Sequence, residues 1–538
     1  MSTVTGGEAV VAALVAHGVD TVFGIPGTHN LEIYRHLATS GIRHVSPRHE
    51  QGAGYAADGY AKTSGRPGVA VVTSGPALLN AAAAVGQAWS DSVPVLVVSP
   101  GLPLRHPGLG NGYLHEARDQ GAAMAAIAAA SIRVTSVAEI PVAVAQAFAL
   151  MTAGRPRPVH LEVPLDVLLE RGETAPVRLP ERRPAAADGA SVAAAATLLV
   201  AAVRPVLLVG GGARGAAAQI ARMAERLGAP TATTANGKGV LPEDHPLALG
   251  AGLHLPAVRE LVEDADVVLA VGTELAPSDL WAGPLPLADR LVRIDVDPLG
   301  ALANATPAVA LVGDAAATLD ALLEALPGTG PGAPAVERAA SCRARKQAES
   351  RAEGAEWLAV VDELASALPR DAIVAADSAM VCYYGALANL PTSRPGSFLY
   401  PTGFGTLGYG LPAAVGAKVA DPGAPVVALL GDGGIMFTLA ELATAAELGL
   451  PLPVVVVDNS GYGEIRNEMI DRDDPVHAVT FRSPDFAAIG RAVGCAGLTL
   501  DGPAGLADAV RQALAADRPT VLHLRMPSSA PTPEGASR

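Results

Sequence analysis

The sequence predicts an α/β protein in which parallel sheets are covered by helices on both faces. Ten short, mostly apolar runs rich in Val, Leu and Ile recur along its 538 residues without polar alternation. Such runs are typical of strands that are buried on both faces, as in parallel sheets. A turn with Gly or Pro and an Ala-rich, helix-favouring stretch follow these runs along the chain. The predicted strands are Val69–Thr73, Val95–Ser99, Val159–Val163, Val206–Val209, Val267–Val271, Leu291–Asp295, Ile373–Ala376, Val426–Leu430, Val454–Asp458 and Val521–Leu524.

Two linkers divide the chain into three units, each predicted to be a doubly wound parallel-sheet domain. Residues 170–189 are rich in Pro, Arg and Glu and lack apolar periodicity. Residues 327–356 begin as a loop, PGTGPGAP, and continue as a charged stretch that we expect to form an exposed helix. The predicted domains span residues 1–168, 190–326 and 357–527, and we expect residues 528–538 to be a disordered tail.

Charge and composition exclude several classes of protein. With 38 Lys and Arg against 53 Asp and Glu, the net charge is −15, so we expect no nucleic-acid partner. Cys342, Cys382 and Cys495 lie far apart, which argues against a disulfide framework or a cysteine metal site and favours the cytoplasm. The N-terminus has no basic segment before its apolar residues, and the apolar runs are far shorter than the roughly 20 residues of a membrane helix. We therefore expect neither a secretory signal nor a membrane partner.

The strongest chemical signal lies at the ends of two neighbouring strands in the third unit. The strand VVALL ends in Gly431-Asp432-Gly433-Gly434, before a helix predicted over Phe437–Leu448, and the strand VVVVD is followed by Asn459 and Gly461. In an open parallel sheet, ligands bind at the carboxyl ends of the strands. The Asp432 carboxylate, the Asn459 amide oxygen and the Gly461 carbonyl suit Mg²⁺ or Ca²⁺ completed by phosphate oxygens. The alternative is a pair of ordinary turns, since Gly, Asp and Asn are common turn residues.

The first unit contains a second cluster, Pro47–Ala53, which opens a helix predicted to run to about Lys62. Glu50 is then a carboxylate at a helix N-terminus, where the helix dipole stabilises it. A plain helix-capping role is the alternative. The turns Gly24–Gly27 and Thr73–Pro76 follow other strands and are candidates to line the same crevice.

These elements, in this order, resemble the thiamine-diphosphate-dependent family that includes acetolactate synthase, benzoylformate decarboxylase and related 2-oxo acid decarboxylases. The resemblance covers most of the first and third units, and the three-unit layout extends it to nearly the whole chain. It implies pyrimidine-binding, central and diphosphate-binding domains. The matching segments are FGIPG (Phe23–Gly27), RHEQGAGYAADGYAK (Arg48–Lys62), TSGP (Thr73–Pro76), GTLGYGLPAAVGAK (Gly405–Lys418), GDGG (Gly431–Gly434) and DNSGYG (Asp458–Gly463).

The resemblance also implies a role for each matching residue. Glu50 would hydrogen-bond the pyrimidine ring of thiamine diphosphate and so promote removal of the thiazolium proton, while Leu407 would hold the cofactor bent. Asp432, Asn459 and the Gly461 carbonyl would bind Mg²⁺. The family further implies a homodimer or homotetramer in which Glu50 and the metal site come from different subunits. The glycines expected to contact the cofactor are Gly405, Gly431, Gly433 and Gly434.

One further glycine motif competes with this interpretation. Gly210–Gly215 follows a predicted strand and matches the GxGxxG pattern of dinucleotide-binding proteins. The acidic residue expected after the next strand is missing, since Thr231-Ala-Thr-Thr-Ala stands there. We therefore predict a tight turn, and a flavin- or nicotinamide-dependent oxidoreductase is the minor alternative. The flavin-associated segments usual in acetolactate synthases are also missing, so we do not expect FAD.

The type of reaction is decided after CO₂ has left the 2-oxo acid. Protonation gives an aldehyde, whereas attack on a second carbonyl makes a carboligase such as acetolactate synthase. Leu114 and His115 stand where the synthases usually carry Phe-Gln-Glu, and His29 stands where they carry a small apolar residue. Histidine titrates near neutral pH, so His29 and His115 are candidates for proton transfer. Hydrogen bonding within loops is the alternative for each.

The segments LHEARDQ and FGIPGTHNLEIYRHL most resemble the family members that decarboxylate 5-guanidino-2-oxopentanoate, the keto acid of arginine. We therefore predict a decarboxylase that converts a 2-oxo acid to an aldehyde and CO₂. An acetolactate synthase-like carboligase and a non-catalytic binding paralogue remain open. A cationic substrate would need a carboxylate partner, although exposed salt bridges are the alternative for each candidate. The candidates are Glu116, Asp119, Glu274 and Asp279.

Overall fold

Three parallel six-stranded sheets flanked by helices form the chain, which confirms the predicted α/β class and its three doubly wound domains. The computed structural model describes residues 2–107, 110–180, 183–328 and 333–526. Each of the ten predicted runs coincides with a strand. The expected tail, residues 528–538, lies outside the described residues. Among the described residues, no helix combines the length and the apolar character needed to cross a membrane.

The first domain contains one parallel sheet and a small antiparallel pair, β1 with β8. Its strands are β1 (Ser2–Thr5), β2 (Thr21–Gly24), β3 (Arg43–Val45), β4 (Gly68–Val71), β5 (Val95–Gly101), β6 (Ala130–Arg133), β7 (Val159–Pro164) and β8 (Arg171–Thr174). Its helices are α1 (Gly6–Ala16), α2 (Leu31–Leu37), α3 (Glu50–Ser64), α4 (Pro76–Ser90), α5 (Gln120–Ala125), α6 (Ile140–Thr152) and α7 (Leu165–Leu169). The predicted helix from the Glu50 region is thus α3.

The second domain also alternates strands with helices. Its strands are β9 (Val206–Val209), β10 (Thr231–Thr233), β11 (Ala248–Ala251), β12 (Val268–Val271), β13 (Leu291–Asp295) and β14 (Val309–Val312). Its helices are α8 (Gly189–Ala201), α9 (Ala217–Leu227), α10 (Pro256–Asp264), α11 (Pro277–Leu280) and α12 (Ala315–Ala325). The GxGxxG segment forms a 3₁₀ helix over Gly211–Ala216, and a Cβ on Gly212 would lie 2.9 Å from the Gly272 Cα. The glycines of this motif therefore allow the segments that follow β9 and β12 to approach each other closely.

The linking helix α13 (Ala333–Glu353) is exposed over most of its residues, as predicted, but it also has a buried stripe. It buries one stripe of mixed polarity, Ala339, Cys342, Lys346 and Ser350. Lys346 Nζ donates a hydrogen bond to the Ala388 carbonyl of the third domain at 2.8 Å. The sequence did not indicate this stripe, because charged residues dominate the segment and the stripe itself combines small, polar and basic side chains.

The third domain carries the remaining elements. Its strands are β15 (Ile373–Ala376), β16 (Phe398–Leu399), β17 (Val426–Gly431), β18 (Pro453–Asp458), β19 (Ala496–Leu500) and β20 (Thr520–Arg525). Its helices are α14 (Leu358–Ala367), α15 (Leu387–Asn389), α16 (Gly410–Ala420), α17 (Asp432–Ile435), α18 (Glu441–Glu447), α19 (Gly463–Asp471), α20 (Phe486–Ala492) and α21 (Leu506–Leu514). A π-helix spans Val381–Ala386.

The helix predicted over Phe437–Leu448 is only partly correct. The chain turns helical at once, in α17, and a second helix, α18, follows after a break at residues 436–440. Within the break, Phe437 and Thr438 donate backbone hydrogen bonds to Gly434 and Ile435, three residues back. The Thr438 hydroxyl donates to the Gly408 carbonyl at 2.7 Å. This tertiary hydrogen bond fixes the turn at a point where the sequence alone suggested a continuous helix.

Sheet order determines where a ligand can bind. The first sheet runs β3-β2-β4-β5-β7-β6 and the third β16-β15-β17-β18-β20-β19, so the two domains share one topology. The second sheet runs β11-β10-β9-β12-β13-β14. In such sheets the strand order reverses at one point, and a crevice opens there at the carboxyl ends of the strands. In the third domain this point lies between β15 and β17, directly before Asp432.

The first and third domains pack together through α3 and α16, whose small residues allow their backbones to approach closely. A Cβ on Gly416 of α16 would lie 1.9 Å from the Ala56 carbonyl oxygen of α3. We expect Gly416→Ala to destabilise the chain by about 2–3 kcal/mol, because backbone atoms must move apart. A Cβ on Gly154 would meet no atom within 4 Å, so Gly154→Ala is the control. Equal midpoints of thermal unfolding for the two variants would contradict this account of the contact.

Candidate active site

A cavity of about 270 Å³ lies at the carboxyl ends of β17 and β18, at the switch point of the third sheet. It is lined by backbone from the strand ends and by side chains of the segments that follow them. All eight residues of this domain that the sequence assigned to the cofactor or the metal line this one cavity. They are Gly405, Leu407, Gly431, Asp432, Gly433, Gly434, Asn459 and Gly461.

Two glycines of the GDGG segment are required by close approach. A Cβ on Gly433 would lie 2.7 Å from the Tyr462 ring, and one on Gly434 would lie 3.0 Å from Asp377 Oδ2. A side chain at Gly433 would clash with the Tyr462 ring, and one at Gly434 would press on the Asp377 carboxylate. The glycines therefore keep backbone exposed to a ligand, as phosphate-binding turns require.

The three predicted metal ligands converge. Asp432 Oδ2 accepts hydrogen bonds from the Gly461 N–H and the Ser483 hydroxyl, both at 3.0 Å, which leaves Oδ1 directed toward Asn459. Turned one way, the Asn459 amide donates to Asp432 Oδ1 at 3.2 Å and to the Gly461 carbonyl at 3.0 Å; turned the other way, it places its own oxygen there. Neighbouring oxygens around an octahedral Mg²⁺ are about 3 Å apart. The donor set and its spacing therefore fit Mg²⁺.

The electrostatics of this cluster also favour a cation. Burial, followed by the nearby Asp458 carboxylate, raises the pKa of Asp432. Burial also acts to raise the pKa of Asp458, but hydrogen bonds from His523 at 2.9 Å and Ser483 at 2.8 Å outweigh it and lower that pKa. A buried carboxylate beside a second one is costly to ionise, and a bound cation removes that cost.

Sequence reasoning missed Asp377, which directly follows β15. Its buried carboxylate accepts backbone hydrogen bonds from Gly408, at 3.0 and 3.1 Å, and from Ser378 at 2.8 Å. Burial raises the pKa of Asp377 to about 6. Asp377 thus fastens the Gly405–Gly408 segment beside the GDGG segment. The position of Asp377 directly after a predicted strand was the sequence signal that could have identified it.

Glu50 begins α3 in the first domain and is half-buried. Its Oε2 accepts a hydrogen bond from Asn80 Nδ2 at 3.0 Å. Asn80 lies on α4, which begins immediately after the Thr73–Ser74–Gly75 turn. Helix capping is performed by His49, whose side chain accepts from the Gln51 N–H at 3.1 Å. Glu50 is therefore not needed as the helix cap.

His29 and His115 lie together near the same turn. Their ring centroids are 4.8 Å apart, and His29 Nδ1 lies 2.6 Å from the Ser74 hydroxyl. Burial, with a smaller effect of His115, lowers the pKa of His29. His115 adopts φ +61°, and its buried Nδ1 has no hydrogen-bond partner among the described residues. Left-handed backbone at a non-glycine residue is a feature that accumulates at functional sites.

The two groups of site residues remain separate within one chain. In the described part of the chain, Glu50, His29 and His115 are not among the residues that line the cavity of the third domain. The domains do touch nearby, because the Tyr55 hydroxyl of α3 hydrogen-bonds the Thr406 hydroxyl. Glu441 Oε1, which sequence reasoning also missed, accepts from the Arg48 and His49 N–H groups at 3.1 and 3.0 Å.

The four carboxylates suggested for a cationic substrate are engaged elsewhere, and none of them lines the cavity. Glu116 accepts backbone hydrogen bonds from Gly110 and Gly112, and Asp119 caps α5 through the Ala122 N–H. Glu274 pairs with Arg155. Asp279 accepts from the Ala235 N–H at 3.1 Å, and burial raises its pKa to about 7. All four therefore have partners elsewhere in the chain, and the ion pair of Glu274 agrees with the alternative of a salt bridge.

Comparisons with known proteins agree with this architecture. Models of the thiamine pyrophosphate enzymes match residues 4–123 (N-terminal TPP binding domain), 192–322 (central domain) and 379–524 (C-terminal TPP binding domain). A probable 2-ketoarginine decarboxylase of Pseudomonas aeruginosa is 48% identical over 92% of this chain and 89% of its own length.

More distant relatives cover the chain equally well. A probable acetolactate synthase large subunit of Methanocaldococcus jannaschii is 33% identical over 96% of this chain and 91% of its own length. The acetolactate synthase isozyme 2 large subunit of Escherichia coli is 32% identical over 96% of this chain and 95% of its own length. These matches confirm the predicted family. The chain belongs to the thiamine pyrophosphate enzymes.

Proposed function

We propose that the protein decarboxylates a 2-oxo acid with thiamine diphosphate and Mg²⁺, and that 5-guanidino-2-oxopentanoate is its substrate. The observation that carries the proposal is the single cavity lined by all eight predicted cofactor and metal residues. The guanidino side chain is suggested by the similarity to a probable decarboxylase of 2-ketoarginine, which is the same compound. The bond between the carboxylate and the carbonyl carbon breaks, CO₂ leaves, and a proton replaces it to give the aldehyde.

The chain's own residues hold the cofactor and the metal in this proposal. Asp432, Asn459 and the Gly461 carbonyl would hold Mg²⁺, and the diphosphate would complete its ligands. The glycines of the GDGG turn would leave room for the diphosphate. Leu407, which lines the cavity, would support the cofactor. Bound thiamine diphosphate supplies the electron sink for the carbanion left when CO₂ departs. The apolar parts of the lining, such as Met380, keep water away from the reacting carbon.

Proton movements are assigned to the first domain. Glu50 would hydrogen-bond the pyrimidine ring of the cofactor and hold a proton there. The lowered pKa of His29 favours its neutral form. We therefore assign to His29, which hydrogen-bonds Ser74, the role of positioning the neighbouring ring of His115. His115, whose Nδ1 has no partner among the described residues, is the better placed proton donor to the product carbon.

The direct test is incubation with pyruvate and with branched, aromatic and guanidino 2-oxo acids, following both CO₂ and aldehyde. We expect equal amounts of CO₂ and aldehyde from the guanidino acid. The acetolactate synthase relatives favour a second candidate, a carboligase that joins two 2-oxo acids. If pyruvate yields acetolactate and no acid yields an aldehyde, the carboligase is correct and the decarboxylase is not.

We further propose a homodimer or homotetramer with active sites between subunits. Glu50 is absent from the cavity lining within the described part of the chain, so a second subunit is needed to supply it. Large apolar side chains near both groups are exposed, namely Leu79 at 47%, Phe404 at 52% and Phe437 at 50%. Contact with a second copy would bury them.

Mixing two inactive variants tests this arrangement. Glu50→Gln and Asp432→Ala each damage a different half of the site. In a mixed dimer, one of the two sites receives both intact halves, so we expect about a quarter of wild-type activity after random exchange of subunits. Unmixed variants provide the control. Mixtures that exchange subunits and remain inactive would show that both halves belong to one chain.

The proposed compartment is the cytoplasm. Cys342, Cys382 and Cys495 are all free and buried, and burial raises the pKa of the Cys342 and Cys495 thiols to about 11. Such thiols are unreactive and suit a reducing environment.

A further inference from the structure

The cavity contains one charged side chain that the proposed metal site does not use. Its charged lining residues are Asp432 and Glu464, and Asp432 is assigned to Mg²⁺. Glu464 is the second residue of α19 and is half-buried. Among the described residues it forms no ion pair. Its charge is therefore available to a ligand in the cavity.

The orientation of Glu464 is fixed by one neighbour. Its Oε1 accepts a hydrogen bond from the Tyr384 hydroxyl at 2.8 Å. No hydrogen bond to Oε2 is formed within the described residues. Burial, followed by Glu464, raises the pKa of Tyr384, so this hydroxyl remains a donor. One carboxylate oxygen is thus held in place, and the other is free to bind a cation.

Aromatic residues line the same cavity as this carboxylate. Tyr383 and Tyr384 are consecutive residues of the π-helix, and their ring centroids are 4.8 Å apart. Tyr383, Trp357 and Tyr462 line the cavity together with Glu464. Single-turn π-helices occur frequently at functional sites. A carboxylate and aromatic rings in one cavity suit a guanidinium, which is planar, donates hydrogen bonds in pairs and stacks on rings.

We propose that Glu464 determines substrate specificity by binding the guanidinium of the 2-oxo acid, with Tyr383 as its aromatic neighbour and Tyr384 as the residue that positions it. The inference rests on the proposed function, because it assigns the substrate's charged end to the same cavity. Glu464 takes the role of substrate partner that the sequence suggested for four other carboxylates, all of which have other partners in the structure. It also predicts that 2-oxo acids with an uncharged side chain of equal length bind less well.

The test compares two substrates that differ in charge but hardly in shape, 5-guanidino-2-oxopentanoate and 5-ureido-2-oxopentanoate. In Glu464→Gln, kcat/KM for the guanidino acid should fall about 100-fold, since a partly buried charge pair is lost. For the ureido acid it should change by less than about threefold. Gln keeps the size of Glu and its acceptor for Tyr384. The control is Glu468→Gln, the same charge change one turn later on an exposed part of α19, which should leave both values nearly unchanged.

The other outcomes distinguish failure of the specificity role of Glu464 from failure of the proposed decarboxylase function. An equal fall of kcat/KM for both acids in Glu464→Gln would overturn the specificity role while the decarboxylase stands. A wild-type enzyme that releases no CO₂ from any 2-oxo acid would overturn the proposed function itself. If Glu464→Gln fails to fold, Tyr384→Phe decides. We expect it to lower the guanidino-to-ureido preference about fivefold by releasing Glu464, and an unchanged preference would contradict the proposal.

Discussion

Replacing Glu50 by Gln is expected to lower kcat by about 10³-fold, because the proton relay at the cofactor loses its carboxylate. Gln has the same size and can still contact Asn80, so α3 should begin at the same residue. Thiamine diphosphate affinity should change little, since the diphosphate and metal contacts belong to the third domain. Steady-state turnover and a titration of cofactor binding measure the two quantities separately.

Glu8→Gln is the matched control for Glu50→Gln. Glu8 also lies in the first turn of a helix of the first domain, α1, but it has no place in the site. This variant should retain wild-type kcat. An active Glu50→Gln enzyme would remove the proton relay from the mechanism, and a Glu50→Gln enzyme that cannot bind cofactor would show that Glu50 anchors it instead.

Replacing Asp432 by Asn should weaken Mg²⁺-dependent binding of thiamine diphosphate by more than about 100-fold. The loss should be this large because Asp432 is assigned as a metal ligand, and loss of a residue that only hydrogen-bonds a metal ligand costs about 10- to 100-fold. Asn retains an oxygen that can accept from Ser483 and Gly461, but it lacks the negative charge that faces the cation. Calorimetric titration of the cofactor, with and without Mg²⁺, measures the loss.

Asp471→Asn is the control for Asp432→Asn, since it removes a carboxylate from an exposed position at the end of α19. Its cofactor affinity should match that of the wild type. Removing Mg²⁺ from the wild type with a chelator should reproduce the Asp432→Asn defect, and added Mg²⁺ should reverse it only in the wild type. Cofactor binding that is independent of both Mg²⁺ and Asp432 would contradict the assigned metal site.

The strands were predictable because burial on both faces of a sheet leaves a short, continuous apolar run bounded by turn residues. The segments Val426–Leu430 and Val454–Asp458 became β17 and β18 with bounds shifted by a residue at most. The helix expected over Phe437–Leu448 was interrupted, because Thr438 hydrogen-bonds Gly408, which is distant in sequence. Local patterns carry no information about such a contact.

The candidate site also has residues that the sequence could predict and residues that it could not. Asp432 and Asn459 follow neighbouring strands, so the rule about strand ends identified them, and the same rule would have identified Asp377. Glu464 and Tyr384 are 80 residues apart, and only folding brings them together. The pairing of Glu441 with the backbone of Arg48 is likewise invisible in the sequence.

The most direct test of the whole account is one reconstitution experiment with protein freed of cofactor and metal. With thiamine diphosphate and Mg²⁺ both added, 5-guanidino-2-oxopentanoate should yield CO₂ and its aldehyde in equal amounts, and omission of either addition should abolish both products. Turnover without the added coenzyme, or CO₂ release accompanied only by a product joined from two acids, would contradict the account.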